Sequence, residues 1–241
     1  MTTISVLVIS DTICPWCYIG YKELKIAMER TREEHPDAKF ELEYRPFLLD
    51  PSLSCRQSVD KNEHLTKKFG ETRYKTACQF LVQRGSELGI TFRFSGNLRQ
   101  TVSSHRLLVY AYQKEPKLQE ALLIKLFAAF FEEAKDIGDF ETLAALAEEA
   151  GVMSKEDTIT FLKSDSCLKE VQVLMMDAQH KGITGVPFTV INQKYAITGA
   201  QKAEAYVEVF NRLIAMENLS ETDSSPAETC QITPPSREIC T

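Results

Sequence analysis

Cys14 and Cys17 are the residues whose types and spacing could do chemistry: only Pro15 and Trp16 separate them, and the aliphatic run 4–9 precedes them. Two cysteines at this spacing can close a small disulfide ring, and proline suits the first turn of a helix. A thiol at a helix N-terminus faces free backbone N–H groups and the positive end of the helix dipole, which favour the thiolate. The motif therefore predicts Cys14 as the nucleophile and Cys17, one turn further along, as the thiol that resolves a mixed disulfide.

Two other interpretations of this cysteine pair stay open. The pair could be half of a zinc site, although no second closely spaced Cys or His pair accompanies it. It could also be two unrelated buried cysteines. The strand-to-helix context favours redox chemistry over both, and we predict no metal site.

The remaining cysteines have no sequence partner that suggests chemistry. Cys78 and Cys167 fit apolar helix faces and are expected to pack in the core, and Cys55 has no evident partner. Cys230 and Cys240 lie in a polar C-terminal stretch, where free, exposed thiols are expected. The count of seven cysteines is odd, so an intracellular, mostly reduced protein in the cytoplasm is the expectation.

Three further residues are candidates for substrate binding. Trp16 is the only tryptophan, and beside the thiols its indole would offer a platform for an apolar ligand. Val186 and Pro187 begin a strand-like run, where exposed backbone groups of Val186 could pair with an extended partner. A proline in this position is usually a first-strand residue in the trans form. His105, on a predicted helix, is more often a packed or surface residue than a catalytic base.

The order of predicted elements is strand, helix, strand, a long helical block, a hairpin and a closing helix. The first strand and its parallel partner are expected to be joined by a right-handed crossover. Caps are predicted at Thr101, Asp139 and Ser154. The predicted strands are 4–10, 40–45, 185–191 and 194–197, with a short extended piece at 90–94. The predicted helices run from 15 towards 30, 71–88, 101 onward, 116–136, 139–151, 154 onward, 165–181 and 202–216.

Composition excludes several classes of function. The chain has 241 residues, a net charge of -6 and interleaved charges, so no nucleic-acid surface is expected. No apolar run approaches the ~20 residues needed to cross a bilayer, and no membrane association is predicted. The N-terminus lacks a basic stretch before its short apolar run, so a secretory signal is not expected.

Four segments taken together and in order resemble the DsbA-like thioredoxin family, and most closely its FrnE-like branch. The likeness extends over about residues 4–216. Related proteins are the kappa-class glutathione transferases and the 2-hydroxychromene-2-carboxylate isomerases, which carry a serine-type motif. The segments that carry the resemblance are Asp11-Thr12-Ile13-Cys14-Pro15-Trp16-Cys17-Tyr18-Ile19-Gly20, Ser104-His105-Arg106-Leu107, Gly185-Val186-Pro187-Phe188 and Gly199-Ala200-Gln201.

The resemblance implies an α/β, thioredoxin-like fold with a helical insertion. We expect a split thioredoxin-like domain of residues 1–59 and 166–217, an insertion of residues 60–165 and a disordered tail of residues 218–241. It also implies that Cys14 attacks, that Cys17 resolves and that Pro187 forms a cis peptide bond facing them. Secreted members have His where this chain has Trp16, and a neutral indole offers no imidazolium, so Cys14 is expected to be less acidic than theirs.

Three functions remain in competition at this point. The first is thiol–disulfide exchange on protein or small-molecule disulfides, which cysteine at both motif ends favours. The second is a glutathione-dependent isomerase or transferase, or an accessory enzyme, acting on an aromatic or polyketide-type metabolite. The third is a binding module that responds to redox state. No tightly bound cofactor is expected, and glutathione is a possible co-substrate.

Overall fold

A four-stranded mixed sheet supports the cysteine motif in the computed structural model, which describes residues 2–222. The described strands are β1 (Thr3–Ser10), β2 (Lys39–Pro46), β3 (Val59–Asp60), β4 (Asn97–Leu98), β5 (Phe188–Ile191) and β6 (Tyr195–Thr198). Strand order in the main sheet is β2-β1-β5-β6, with β1 parallel to β2 and antiparallel to β5. The predicted parallel pair is confirmed, with Ile4 opposite Phe40. A separate two-stranded sheet joins β3 to β4.

Helices surround this sheet, and most of them lie between β2 and β5 in the sequence, as expected for a thioredoxin-like fold with a helical insertion. The described helices are α1 (Pro15–Glu34), α2 (Lys61–Phe69), α3 (Glu71–Ser86), α4 (Val102–Lys114), α5 (Pro116–Phe131), α6 (Phe140–Glu149), α7 (Lys155–Lys163), α8 (Leu168–His180) and α9 (Ala203–Thr222). Helix α1 connects β1 to β2, and α9 follows β6. None of the described helices combines the length and apolarity that a membrane-spanning segment requires.

Helix α1 is fixed by an apolar face and by one buried carboxylate. Ile19 and Leu24 are almost fully buried in the main core. The buried Glu23 forms an ion pair with Arg84 of α3 and accepts a 2.8 Å hydrogen bond from the backbone N–H of Ala203. This one side chain therefore ties α1 to both α3 and α9, which holds the helix that begins at the cysteines.

Helix α4 is anchored to the far end of the insertion through Arg106. Its buried guanidinium donates hydrogen bonds to the backbone carbonyls of Phe161, Leu162, Ser164 and Ser166. A cation at the C-terminus of α7 satisfies carbonyls that the helix leaves without an internal partner. The start of α4 is consequently rigid, and it is this end that contacts the loop before Cys14.

The hairpin and two of the predicted caps are confirmed. Three residues separate β5 from β6, and the first two, Asn192 and Gln193, have φ values of 47° and 55° in the left-handed region, while the N–H of Lys194 donates to the carbonyl of Ile191. The Asp139 side chain accepts from the N–H of Thr142, and Ser154 accepts from the N–H of Asp157.

The short extended piece predicted at residues 90–94 is not paired in a sheet, and ring contacts of Phe92 with Tyr18 and Phe131 hold it in place. Other expectations about local structure were wrong. Thr101 occupies the N-cap position of α4, but its hydroxyl makes no capping bond and is buried without a partner. Helix α5 ends at Phe131 rather than near 136, and α8 begins at Leu168 rather than 165.

The predicted tail falls mainly outside the described residues. Helix α9 continues to Thr222 and so includes residues 218–222 of the stretch predicted to be disordered. Residues 223–241, with Cys230 and Cys240, lie outside the described part of the chain. The predicted split at residues 59/60 and 165/166 stays a prediction.

Candidate functional site

Cys14 is the N-cap residue of α1, with extended backbone angles of φ -90° and ψ 114°. Its carbonyl accepts the N–H groups of Cys17 at 3.0 Å and Tyr18 at 3.3 Å, which begins the helix. No side chain caps this end, and because Pro15 has no N–H and those of Cys17 and Tyr18 are already bonded, the N–H of Trp16 is the donor of the first turn left next to the cysteine. This N–H and the helix dipole stabilise negative charge at that point.

Cys17 lies one turn further into α1 and is buried, with only 3% of its surface exposed. Burial raises its pKa well above the ordinary value, and both a hydrogen bond to Cys14 and the charge of Cys14 raise it further. Burial therefore disfavours loss of the Cys17 proton, whereas Cys14, although its exposure is also only 3%, lies at the N-cap of α1 and lines the cavity described below. This asymmetry assigns the two cysteines different chemical roles: Cys14 can attack, and Cys17 holds a proton beside it.

The loop before β5 faces this thiol. The Val186–Pro187 peptide bond is cis, as the resemblance implied. The Sγ of Cys14 lies 3.7 Å from the carbonyl oxygen of Val186, to which the thiol donates a hydrogen bond. A Cβ atom on Gly20 would lie 3.1 Å from the Cγ of Pro187, so the close approach of this loop to α1 depends on glycine.

The turn between β1 and Cys14 is held by a buried carboxylate that the sequence interpretation missed. Asp11 is fully buried, accepts the N–H of Leu49 at 2.7 Å and lies 3.3 Å from the Nε2 of His105. The same Nε2 is 3.0 Å from the carbonyl oxygen of Phe47. His105 is thus a packed residue that positions the motif loop, in accord with the prediction that it is packed or at the surface.

A second contact reinforces this loop. The hydroxyl groups of Thr12 and Ser104 lie 3.0 Å apart and are both buried. Ser104 and His105 are consecutive at the start of α4, and Asp11 and Thr12 are consecutive before the motif. The position of Asp11 and Thr12 directly before the cysteine motif was the one sign in the sequence that they support it. Their partners on α4 lie more than ninety positions away, so the contacts themselves could not be predicted.

A cavity of about 760 Å³ opens at Cys14. Trp16 and Val186 line it together with Cys14, whereas Cys17 and Pro187 are not among its lining residues. Trp16 is 37% exposed, and its ring centroid lies 5.7 Å from that of Phe80 on α3. The volume falls in the range of small-molecule pockets. Of the five site residues predicted from the sequence, Cys14, Trp16 and Val186 therefore line the cavity. The other two, Cys17 and Pro187, lie next to them but do not line it.

Cys78 is not a core residue, contrary to expectation, whereas Cys167 packs against the main core as expected. Cys78 is half-buried and lines the cavity, because the face of α3 that carries it faces the cavity rather than the core. Cys167 is the half-buried N-cap residue of α8. Cys55 is exposed. Within residues 2–222, no group of three or more His, Cys, Asp or Glu side chains is arranged to hold a metal ion.

Comparison with known proteins gives one family and several relatives. The family model for the DsbA-like thioredoxin domain matches residues 5–211. The uncharacterized protein YwbO of Bacillus subtilis is 28% identical over 220 residues, which cover 89% of this chain and 98% of YwbO. A probable DsbA oxidoreductase of Streptomyces coelicolor is 25% identical, with a TM-score of 0.79 over 98% of this chain and 94% of that one. A 2-hydroxychromene-2-carboxylate isomerase shares the fold at 12% identity and a TM-score of 0.58, over 92% and 100% of the two chains.

Proposed function

The chain belongs to the DsbA-like thioredoxin domain family, and on that premise we propose that it is a thiol–disulfide oxidoreductase in which Cys14 and Cys17 are the reacting pair. The observation that carries this proposal is the asymmetry between the two thiols. Cys14 lies at a helix N-terminus and opens on a cavity, while Cys17 is buried behind it with a raised pKa. The FrnE-like branch remains a prediction from the motif segments.

In the reducing direction, the Cys14 thiolate attacks one sulfur of a substrate disulfide. The substrate S–S bond breaks, a Cys14–substrate disulfide forms, and the first substrate thiol leaves with a proton. Cys17 then loses its proton and attacks the Sγ of Cys14, which releases the second substrate thiol. Two electrons and two protons pass from the dithiol to the substrate, and the same steps in reverse oxidise a dithiol.

Val186 is the proposed backbone contact for the substrate. Its carbonyl accepts the Cys14 thiol hydrogen in the free protein. Once Cys14 is bonded to a substrate sulfur, that donor is gone and the carbonyl is free to accept an N–H group from the substrate. Pro187 contributes no N–H and so leaves the pairing to Val186.

Glutathione is the proposed co-substrate that exchanges with the pair between turnovers. A cytoplasmic setting, where glutathione keeps thiols reduced, is part of this proposal. The substrate itself is a disulfide of a protein or of a small molecule, and the substrate class is argued below.

Replacement of each cysteine by serine tests the assignment. Cys14→Ser should abolish exchange with a model disulfide, and Cys17→Ser should permit one attack but no turnover. Cys55→Ser, at an exposed cysteine away from the cavity, is the matched control and should keep full activity. Full exchange activity in Cys14→Ser would show that another group reacts.

A glutathione-dependent isomerase or transferase is the second candidate, and the size of the cavity favours it. A volume of about 760 Å³ could hold glutathione next to part of a second small molecule. Chemistry of that kind leaves no disulfide between the two cysteines. The Cys17→Ser variant would therefore keep isomerase or transferase turnover but lose net disulfide exchange, which separates the two candidates.

A further inference from the structure

The cavity above Cys14 has a predominantly apolar wall. It is formed on one side by the start of α1 and on the other by α2, α3 and the end of α5. Apolar pockets of this size bind small organic molecules that bury most of their surface. Prominent apolar residues in the wall are Leu65, Phe69, Leu81, Phe94, Leu98 and Phe130.

The charged side chains in this wall are unbalanced. Four cations line the cavity, but Asp50 is the one carboxylate that does so among the described residues. Asp50 is already paired, because its Oδ2 lies 2.7 Å from the Nζ of Lys68 and 2.9 Å from the Nε2 of His64. The described part of the chain places no carboxylate within 4 Å of the cations on Lys61, Arg73 or Arg93. The unpaired charges that line the cavity are therefore all positive.

Lys61 is the most constrained of these cations. Only 3% of the residue is exposed, and its backbone N–H donates to the carbonyl of Gly96 at 2.9 Å, beside the β3–β4 pair. Its Nζ donates to the carbonyl of Phe130 at 3.0 Å and lies 3.7 Å from the centroid of the Phe130 ring. An ammonium group has three donors, and this one has a single hydrogen-bond acceptor among the described residues.

A buried cation without a carboxylate partner is costly, and a protein interior normally supplies one. Burial lowers the pKa of Lys61 to about 8, because the nearby charge of Asp60 offsets the cost of burial only in part. A ligand anion would supply the missing acceptors and the missing charge. The remaining space is apolar, which suits the body of the same ligand.

We infer that this cavity selects small disulfides that combine an apolar body with a carboxylate, and that the ammonium of Lys61 pairs with that carboxylate while Cys14 attacks the ligand's sulfur. The inference rests on the proposed exchange function and names its substrate class. Lys61 acts here on substrate choice, and the bond changes are those of the exchange reaction given above.

Two disulfides of the same shape test this assignment. One is 4,4′-dithiodibenzoate, and the other is its uncharged carboxamide analogue. Oxidation of the reduced protein by each is followed through the fluorescence of Trp16, the only tryptophan. Each rate is divided by the rate at which 2-mercaptoethanol reacts with the same disulfide, which removes the intrinsic difference in reactivity.

The normalised rate should favour the dicarboxylate by about tenfold in the unmodified protein, as one charge-assisted hydrogen bond predicts. Lys61→Gln should bring the preference close to one, and Lys61→Arg should retain most of it. Lys67→Gln, an exposed lysine of the same helix that does not line the cavity, is the matched control and should leave the preference unchanged.

No preference in the unmodified protein, or an intact preference in Lys61→Gln, would overturn the inference. Faster normalised reaction with oxidised glutathione than with either aromatic disulfide would also overturn it, because the apolar body would then contribute nothing.

Binding without reaction separates this inference from the proposed function. The unreactive thioethers 4-(methylthio)benzoate and 4-(methylthio)benzamide are titrated into the Cys14→Ser variant, with and without Lys61→Gln. Tighter binding of the benzoate that depends on Lys61 supports the anion site even if no disulfide oxidises the protein, a result that would refute the exchange function alone. Equal binding of the two thioethers would refute the anion site whatever the exchange rates are.

Discussion

The cost of burying the charge of Lys61 predicts an unusual pH dependence of stability. The pKa of this ammonium is about 8 in the folded protein, against an ordinary value of 10.5. Because one pKa unit corresponds to about 1.4 kcal/mol, the folded state carries this charge at a cost of about 3 kcal/mol at pH 7. Lys61→Met removes the charge and keeps an unbranched apolar side chain in the same wall.

The direction of the effect follows from proton binding. The folded state releases the Lys61 proton at lower pH than the unfolded state, so the unfolded state binds more protons between about pH 8 and 10.5. Stability from this group therefore rises with pH. With these values it should rise by about 1.4 kcal/mol between pH 7 and pH 9.

Urea unfolding at pH 7, 8 and 9 under reducing conditions measures this effect. The free energy of unfolding of Lys61→Met is subtracted from that of the unmodified protein at each pH, which removes the contributions of groups that titrate in both. The difference should increase towards high pH in favour of the unmodified protein. The carbonyl of Phe130, left without its donor in the variant, adds an offset that does not depend on pH.

Lys67→Met serves as the control, because Lys67 is exposed on the same helix and should show no such trend. A difference between Lys61→Met and the unmodified protein that stays constant from pH 7 to pH 9, or falls, would refute the claim that Lys61 carries an uncompensated charge.

Two further substitutions test the buried ion pair that holds α1 and the close contact between α1 and the Pro187 loop. Glu23→Gln should cost about 2 kcal/mol of unfolding free energy in urea, because Arg84 loses its buried partner and keeps only the exposed Glu87. Glu204→Gln, which removes an exposed pair with Arg30, should cost less than about 1 kcal/mol, and equal losses would show that Glu23 has no special role. Gly20→Val should slow disulfide exchange by about tenfold or more, since its side chain would displace the Pro187 loop from Cys14. The matched Gly20→Ala variant should be milder because alanine improves helix propensity and adds one methyl group, and equal rates for Gly20→Val and the unmodified protein would contradict the close-packing argument.

Local patterns in the sequence were sufficient for the main strands and helices and for the position of the cysteines, whereas the thioredoxin-like fold and the cis bond at Pro187 were implied by the family resemblance. The aliphatic run before the motif, the proline inside the first turn and the turn at Asn192 each have a short-range physical cause, and each of these elements is present. Residues 90–94 were predicted only as a short extended piece, because the contacts that hold them come from rings on α1 and α5, far away in the sequence.

The cavity and its charge could not be predicted in the same way. Lys61 looks like a surface lysine in the sequence, since its neighbours are Asp60 and Asn62. Its burial depends on Phe130, sixty-nine positions away, and on the pairing of β3 with β4. The contact between Asp11 and His105 was hidden for the same reason, because it joins the motif loop to a helix in the middle of the insertion.

The fate of a disulfide on the Cys17→Ser variant tests the central claim most directly. Reduced Cys17→Ser is mixed with 4,4′-dithiodibenzoate, quenched with acid at set times and analysed by intact mass and peptide mapping. Cys14 should gain one 4-thiobenzoate group at the rate at which the unmodified protein is oxidised, and the adduct should persist because no resolving thiol remains. An adduct on Cys55 or Cys78 with Cys14 unmodified, or an adduct that forms far more slowly than that oxidation, would contradict the account.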